Sequence, residues 1–158
     1  MTYTLLDSVT LASSAASVTF SSIDQSYGDL VLVVDYAPAS GSIGCNFRLN
    51  GDTSSSYYTL LMYGNGSTSG SYDAGANDRT VQWSSASTFG LKTFNIMDYT
   101  ATDKHKSILS RENQENIVTA YAYRWASTSA VTSIEILGTG GSYAAGSTFH
   151  LYAIAKAL

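Results

Sequence analysis

The sequence predicts an all-β fold: one antiparallel β-sandwich, jelly-roll-like in its wiring, over residues 1–158. Three observations predict it. Nine or ten short apolar or alternating runs follow one another at spacings of roughly 8–15 residues. Clusters of Ser, Gly and Asn separate them, which is turn composition. No stretch builds the apolar stripe of a long amphipathic helix.

The runs read in order as follows. Residues 5–11 alternate loosely. Residues 17–23 (SVTFSSI) alternate clearly, with Val18 and Phe20 on one strand face. Residues 30–36 (LVLVVDY) are continuously apolar, β-branched and too short for a typical helix, so they read as a central strand. Residues 45–49 lead into Asn50-Gly51, a dipeptide suited to a type I′ hairpin turn because both central residues need φ > 0. Residues 57–63 (YYTLLMY) form the next strand, and 64–80 read as a long Gly/Ser/Asp loop. A short strand at 80–83 and an alternating one at 91–97 follow. Residues 103–117 are the best helix candidate, but Ile108, Leu109 and Ile117 give it only a short apolar face. Strands at 120–125, 131–137 and 148–155 complete the sheet. Ser87-Thr88-Phe89-x-Leu91 recurs as Ser147-Thr148-Phe149-x-Leu151, an echo of two similar strands or of chance.

Composition bounds the function. The 158 residues fit one domain. Charged residues make up 13%, against about 25% in typical domains, and hydroxyl groups supply the polarity instead. Hydrophobic residues make up 44%, with twelve tyrosines, so the chain has the means to build a core. A net charge of −4 with few lysines excludes a general nucleic-acid binder, whose affinity depends on many Lys and Arg contacts to phosphate. A single cysteine, Cys45, excludes an internal disulfide and a CxxC zinc site; within a strand pattern it reads as a small core residue. The first twenty residues lack the basic and apolar regions of a signal peptide, and no window has the length of a membrane span. Soluble synthesis in the cytoplasm is the expectation, with no membrane partner.

Catalytic motifs are wanting. His105 and His150 stand at no metal-ligand spacing, and no GxSxG elbow occurs. Asp98, Asp103, Glu112, Glu115 and Glu135 are carboxylates that spacing alone does not pair. Asn50, Asp52, Asp73, Asn77 and Asp78 are loop oxygen donors without the DxDxDG order of a calcium loop. Asn65-Gly66-Ser67 matches a glycosylation sequon that matters only in a eukaryotic secretory setting. The expectation is a protein with no enzyme activity, no cofactor and no metal.

Two clusters stand out. Asp103, Lys104, His105, Lys106 and Arg111 gather three of the eight basic residues and one of the two histidines within a few positions, with Glu112 and Glu115 following. They read as a charged hairpin end, either solvated or in polar contact with another subunit or a shell. Tyr121, Tyr123 and Trp125 share one strand face. They either fill the core or form a stacking platform for sugar rings or a partner.

The series SSIDQSYGDLVLVV, RLNGD with Tyr57-Tyr58, MYGNGSTSG, IMDYTATDKHKSILSR, RWASTSAVTSIEIL and GSYAAGSTFHLYAIAKA resembles a family of virion structural proteins of tailed bacteriophages, especially those of marine cyanobacteria. The similarity follows the same order across most of the chain. It implies a phage particle component and carries over no catalytic residue. On that resemblance the chain is expected to be a capsid decoration or cement protein, located in the virion and bound to the major capsid protein or other virion proteins. The alternative is the receptor- or glycan-binding tip of a tail fibre, with a host surface glycan as ligand. The pattern fills the chain with no coiled-coil or shaft repeat, which favours the capsid. Low charge and many tyrosines further predict a homo-oligomer, and the analogy with decoration proteins at threefold positions predicts a trimer.

Overall fold

The computed structural model of the protein describes residues 2–82, 86–114 and 116–156. Among them are eleven strands and no helix: β1 (Tyr3–Thr10), β2 (Ser17–Phe20), β3 (Asp29–Tyr36), β4 (Gly44–Leu49), β5 (Tyr57–Gly64), β6 (Ser69–Asn77), β7 (Gly90–Ile96), β8 (Lys106–Gln114), β9 (Ile117–Trp125), β10 (Ile134–Thr139) and β11 (Thr148–Ile154). They form two antiparallel sheets, β1-β11-β3-β7-β8-β9-β5-β6 and β2-β10-β4. The predicted β-sandwich is the fold. β1 and β3 flank β11 in one sheet, while β2 and β4 flank β10 in the other, so the chain alternates between layers at its two ends, whereas β5 to β9 all lie in the large sheet.

The core follows from alternation. In β3, Leu30, Leu32, Val34 and Tyr36 point inward and are buried. From the small sheet, Phe47 reaches across to Phe94 and Tyr123, edge to face, at ring centroid distances of 5.0 and 5.7 Å. Such aromatic pairs add roughly 0.5–1.5 kcal/mol each beyond their buried area. Val18, Phe20, Ile134 and Ile136 complete the small sheet's inner face.

Several expectations need correction. The loop expected at 64–80 contains β6, an edge strand whose hydroxyl- and glycine-rich residues suit an exposed ladder. The helix candidate at 103–117 is instead β8 and the start of β9. Its inner face carries Lys106, Ile108, Ser110, Glu112 and Gln114, so alternation exists there with polar residues inside. The strand expected at 80–83 does not form over residues 80–82, and Trp83 lies outside the described residues, as does Glu115. Val131 is buried ahead of β10, which begins at Ile134. The STF echo has no shared geometry: Phe149 is buried in β11, whereas Phe89 is exposed ahead of β7.

Asn50 and Gly51 both have positive φ, 53° and 65°, as a type I′ turn requires. The turn does not close a hairpin, however. It carries the chain from β4 in the small sheet to β5 in the large one. The Asn50 side chain fixes this crossover. Its Oδ1 accepts from the Thr132 and Ser133 amides, and its Nδ2 donates to the Ala130 carbonyl at 2.7 Å.

Candidate functional site

The outer face of the large sheet is unusually apolar where β5, β9 and β8 run side by side. Leu60 pairs with Ala122, which pairs with Leu109; Met62 pairs with Ala120, which pairs with Arg111. The small alanines of β9 lie between longer side chains on both neighbours, leaving an open depression of about 400 Å³ lined by Leu60, Met62, Leu109, Ala120 and Ala122. Leu60, Met62, Leu109 and Val118 are 52–66% exposed. Tyr58 extends the patch, with the Arg124 guanidinium 4.1 Å from its ring centroid. A contiguous exposed apolar area on a sheet face marks an interaction surface.

The charged hairpin does not form one cluster. Asp103, Lys104 and His105 are exposed in the β7–β8 loop. Lys104 Nζ contacts Asp98 Oδ2 at 2.8 Å, with both side chains more than half exposed. That hydrogen bond holds the Asp98 carboxyl below its ordinary range and raises Lys104. Solvent screens an exposed pair of this kind, so it adds little to stability. Lys106, expected at the surface, is buried, and burial pushes its pKa down. Its Nζ donates to the carbonyls of Ala101 and Lys104 at 2.7 and 3.1 Å, so it closes the loop from inside and does not face a partner. Arg111 lies along β8 on the outer face, in the row of Met62 and Ala120, and belongs to the apolar patch.

The aromatic stripe points inward. Tyr121, Tyr123 and Trp125 are 2–3% exposed. Tyr121 and Tyr123 stack at 5.5 Å, and Trp125 stacks on Tyr57 at 6.4 Å. As a surface platform the stripe is therefore corrected: these rings are core. Trp125 Nε1 donates to Asp52 Oδ2 at 2.6 Å. Asp52 also accepts from Ser54 and Ser56, and Asp78 is held by Arg48 at 2.7 Å, so both loop carboxylates serve the fold. Among the described residues no group of three or more His, Cys, Asp or Glu is placed to hold a metal ion.

A second feature lies inside the sandwich. Glu112 on β8 stands directly across from Lys92 on β7, and both are buried. Glu112 Oε1 accepts from Tyr36 Oη and Gln114 Nε2, each at 2.6 Å, and from Gln82 Nε2. Its Oε2 accepts from Tyr121 Oη at 2.9 Å and lies 3.3 Å from Lys92 Nζ. Lys92 Nζ sits 4.2 Å from the Tyr121 ring centroid and donates to the Cys45 carbonyl at 3.1 Å. Burial pushes the Cys45 thiol up to about 12, although Lys92 opposes this, and raises Tyr36 strongly, with Cys45 and Glu112 adding to the effect. Sequence reasoning passed over Lys92 and Gln82. The signal was the alternation Gly90-x-Lys92-x-Phe94-x-Ile96, which puts a lysine on the face of two core residues. The outer patch had its signal in YYTLLMY, where apolar residues occupy both faces of one strand.

No protein-family model matches the chain, and no curated protein sequence matches it. Among solved structures it is similar to exo-inulinase from Aspergillus awamori, with 14% identity and a TM-score of 0.48, over 96% of this chain and 29% of that one. It is also weakly similar to a protein of unknown function from Shewanella oneidensis MR-1, with 9% identity and a TM-score of 0.23, over 99% of this chain and 77% of that one.

Proposed function

We propose that this chain is a structural component of a tailed-phage particle, a decoration or cement module on the capsid surface, and that it docks through the outer face of β5, β8 and β9. The observation that carries the docking surface is the exposed apolar group Leu60, Met62, Leu109 and Val118 on three adjacent strands. The phage assignment rests on the ordered motif resemblance. A many-copy contact of modest affinity per site suits such a surface, because neighbouring contacts between subunits multiply the binding. Arg111 and Arg124 at the patch supply the polar, orienting contacts, with shell carboxylates as their partners. Burial of Tyr121, Tyr123 and Trp125 leaves the sugar-platform alternative without the residues that motivated it.

Quantitative mass spectrometry of purified particles tests this. Hundreds of copies per particle, comparable with the major capsid protein, are expected. A handful of copies confined to tail fractions would reject the capsid assignment and favour the fibre-tip reading. Leu109→Asp with Met62→Lys should abolish incorporation while leaving the fold intact.

A further inference from the structure

The cluster around buried Lys92 and Glu112, with half-buried Gln82 at its edge, holds the parts of a condensation reaction. β4 is an edge strand, and the segment at residues 80–82 covers its free side. Phe47 N donates to Thr80 Oγ1 at 2.9 Å, Thr80 N to the Phe47 carbonyl at 3.2 Å, and Cys45 N to Gln82 Oε1. The Gln82 amide is thereby fixed against two other groups. Its Oε1 lies 3.4 Å from Lys92 Nζ, and its Nε2 donates to Glu112 Oε1. Glu112 Oε2 in turn contacts Lys92 Nζ. An amine, a primary amide, a carboxylate shared between them and an N–H on the amide oxygen therefore meet at one point. The rings of Phe94 and Tyr121 flank Nζ, 5.2 and 4.2 Å from it.

We infer that Lys92 and Gln82 join in an internal isopeptide bond, with Glu112 as the acid–base group. The Lys92 ammonium passes a proton to Glu112, which turns a buried ion pair into a neutral pair. The free amine attacks Gln82 Cδ, and the bond from Nζ to Cδ forms. Charge develops on Oε1, where the Cys45 N–H receives it as an oxyanion donor. Glu112 delivers its proton to Nε2 and takes one from Nζ. The bond from Cδ to Nε2 breaks and ammonia leaves. Ammonia departs as ammonium with the proton from Glu112, which returns to its carboxylate form. No oxidant or cofactor is consumed. Fixed proximity supplies the drive that free lysine and glutamine lack in water.

Intact-mass measurement of the denatured wild-type protein tests the bond. The expected mass is lower than the sequence mass by about 17 Da, the ammonia lost in an acyl transfer to an amine. Trypsin should fail to cleave after Lys92, and the loss should map to the peptide spanning residues 80–104. Lys92→Arg and, separately, Gln82→Ala should restore the full sequence mass. An unmodified wild-type mass overturns the inference. So does a loss mapped to Asn50-Gly51 or Asn65-Gly66, where succinimide formation also releases ammonia, or one that persists in Lys92→Arg. The wild-type peptide map decides the matter even where a variant does not fold, and it is independent of any capsid role.

Discussion

At the residue scale, the most consequential group is Glu112. Its carboxylate accepts from two tyrosines and two glutamines and faces Lys92 inside the sandwich. Removing one partner of a buried pair leaves an uncompensated charge, which typically costs about 3–5 kcal/mol. Glu112→Ala should lower stability by that amount, as read by urea denaturation. Cys45 gives a second expectation. With its thiol raised to about 12 by burial, native protein at pH 8 should not react with a thiol reagent, and unfolded protein should react fully. Asp52 gives a pH dependence. Its partial burial raises its pKa, but hydrogen bonds from Ser54, Ser56 and Trp125 outweigh this and hold it well below the carboxylate range. A depressed folded-state pKa contributes stability above the unfolded value of about 4, and this is lost as pH falls below it. Asp52→Asn should therefore be less stable than wild type at pH 6, with the gap narrowing at pH 3 in matched urea titrations.

At the element scale, two features separate structural from interaction roles. Gly90 opens β7 where a Cβ would stand 2.5 Å from Cζ of Tyr36. Gly90→Ala must displace a buried ring held by Glu112, and should cost about 1–3 kcal/mol as overpacking does. By contrast, Leu109 and Met62 stand on the outer face of β8 and β5. Their replacement by charged residues should change stability by no more than about 0.5 kcal/mol, as at other exposed sites. The two experiments bracket the large sheet: its inner face sets stability, and its outer face sets association.

At the scale of the molecule, the large sheet is wider than the small sheet that covers it. Its edges are β1 and β6, and the ladder of each with its neighbour contains a register shift, between Leu5 and Asp7 and between Tyr58 and Leu60. Such bulges twist an edge away from regular pairing with another chain. Contact with the shell is therefore expected through the apolar patch on the sheet face and not by strand addition at an edge. Light scattering should give an oligomer, a trimer on the decoration-protein analogy, that persists in the Leu109→Asp, Met62→Lys double variant, because that patch faces the shell. An oligomer lost in that pair would place the contact between subunits, and not the shell contact, on the patch.

The sequence by itself determined the strands whose pattern is local. The apolar run 30–36 became the central β3, the alternation 120–125 lies within β9, and Asn50-Gly51 kept its turn because positive φ is a property of those two residues. Only the tertiary structure decided which face of a strand is inside. Period-two alternation says that Tyr121, Tyr123 and Trp125 point the same way, not whether that way is core or solvent. At β8 the alternation went unread and residues 103–117 passed for a helix candidate, because Lys106, Glu112 and Gln114 are polar yet point inward, where partners from other strands and loops satisfy them. Asn50-Gly51, read as a hairpin turn, joins two sheets and not two paired strands. Burial depends on what the rest of the chain places opposite a residue, and Lys92, Gln82 and Glu112 meet only because a crossover, a sheet edge and a β-ladder converge on one point.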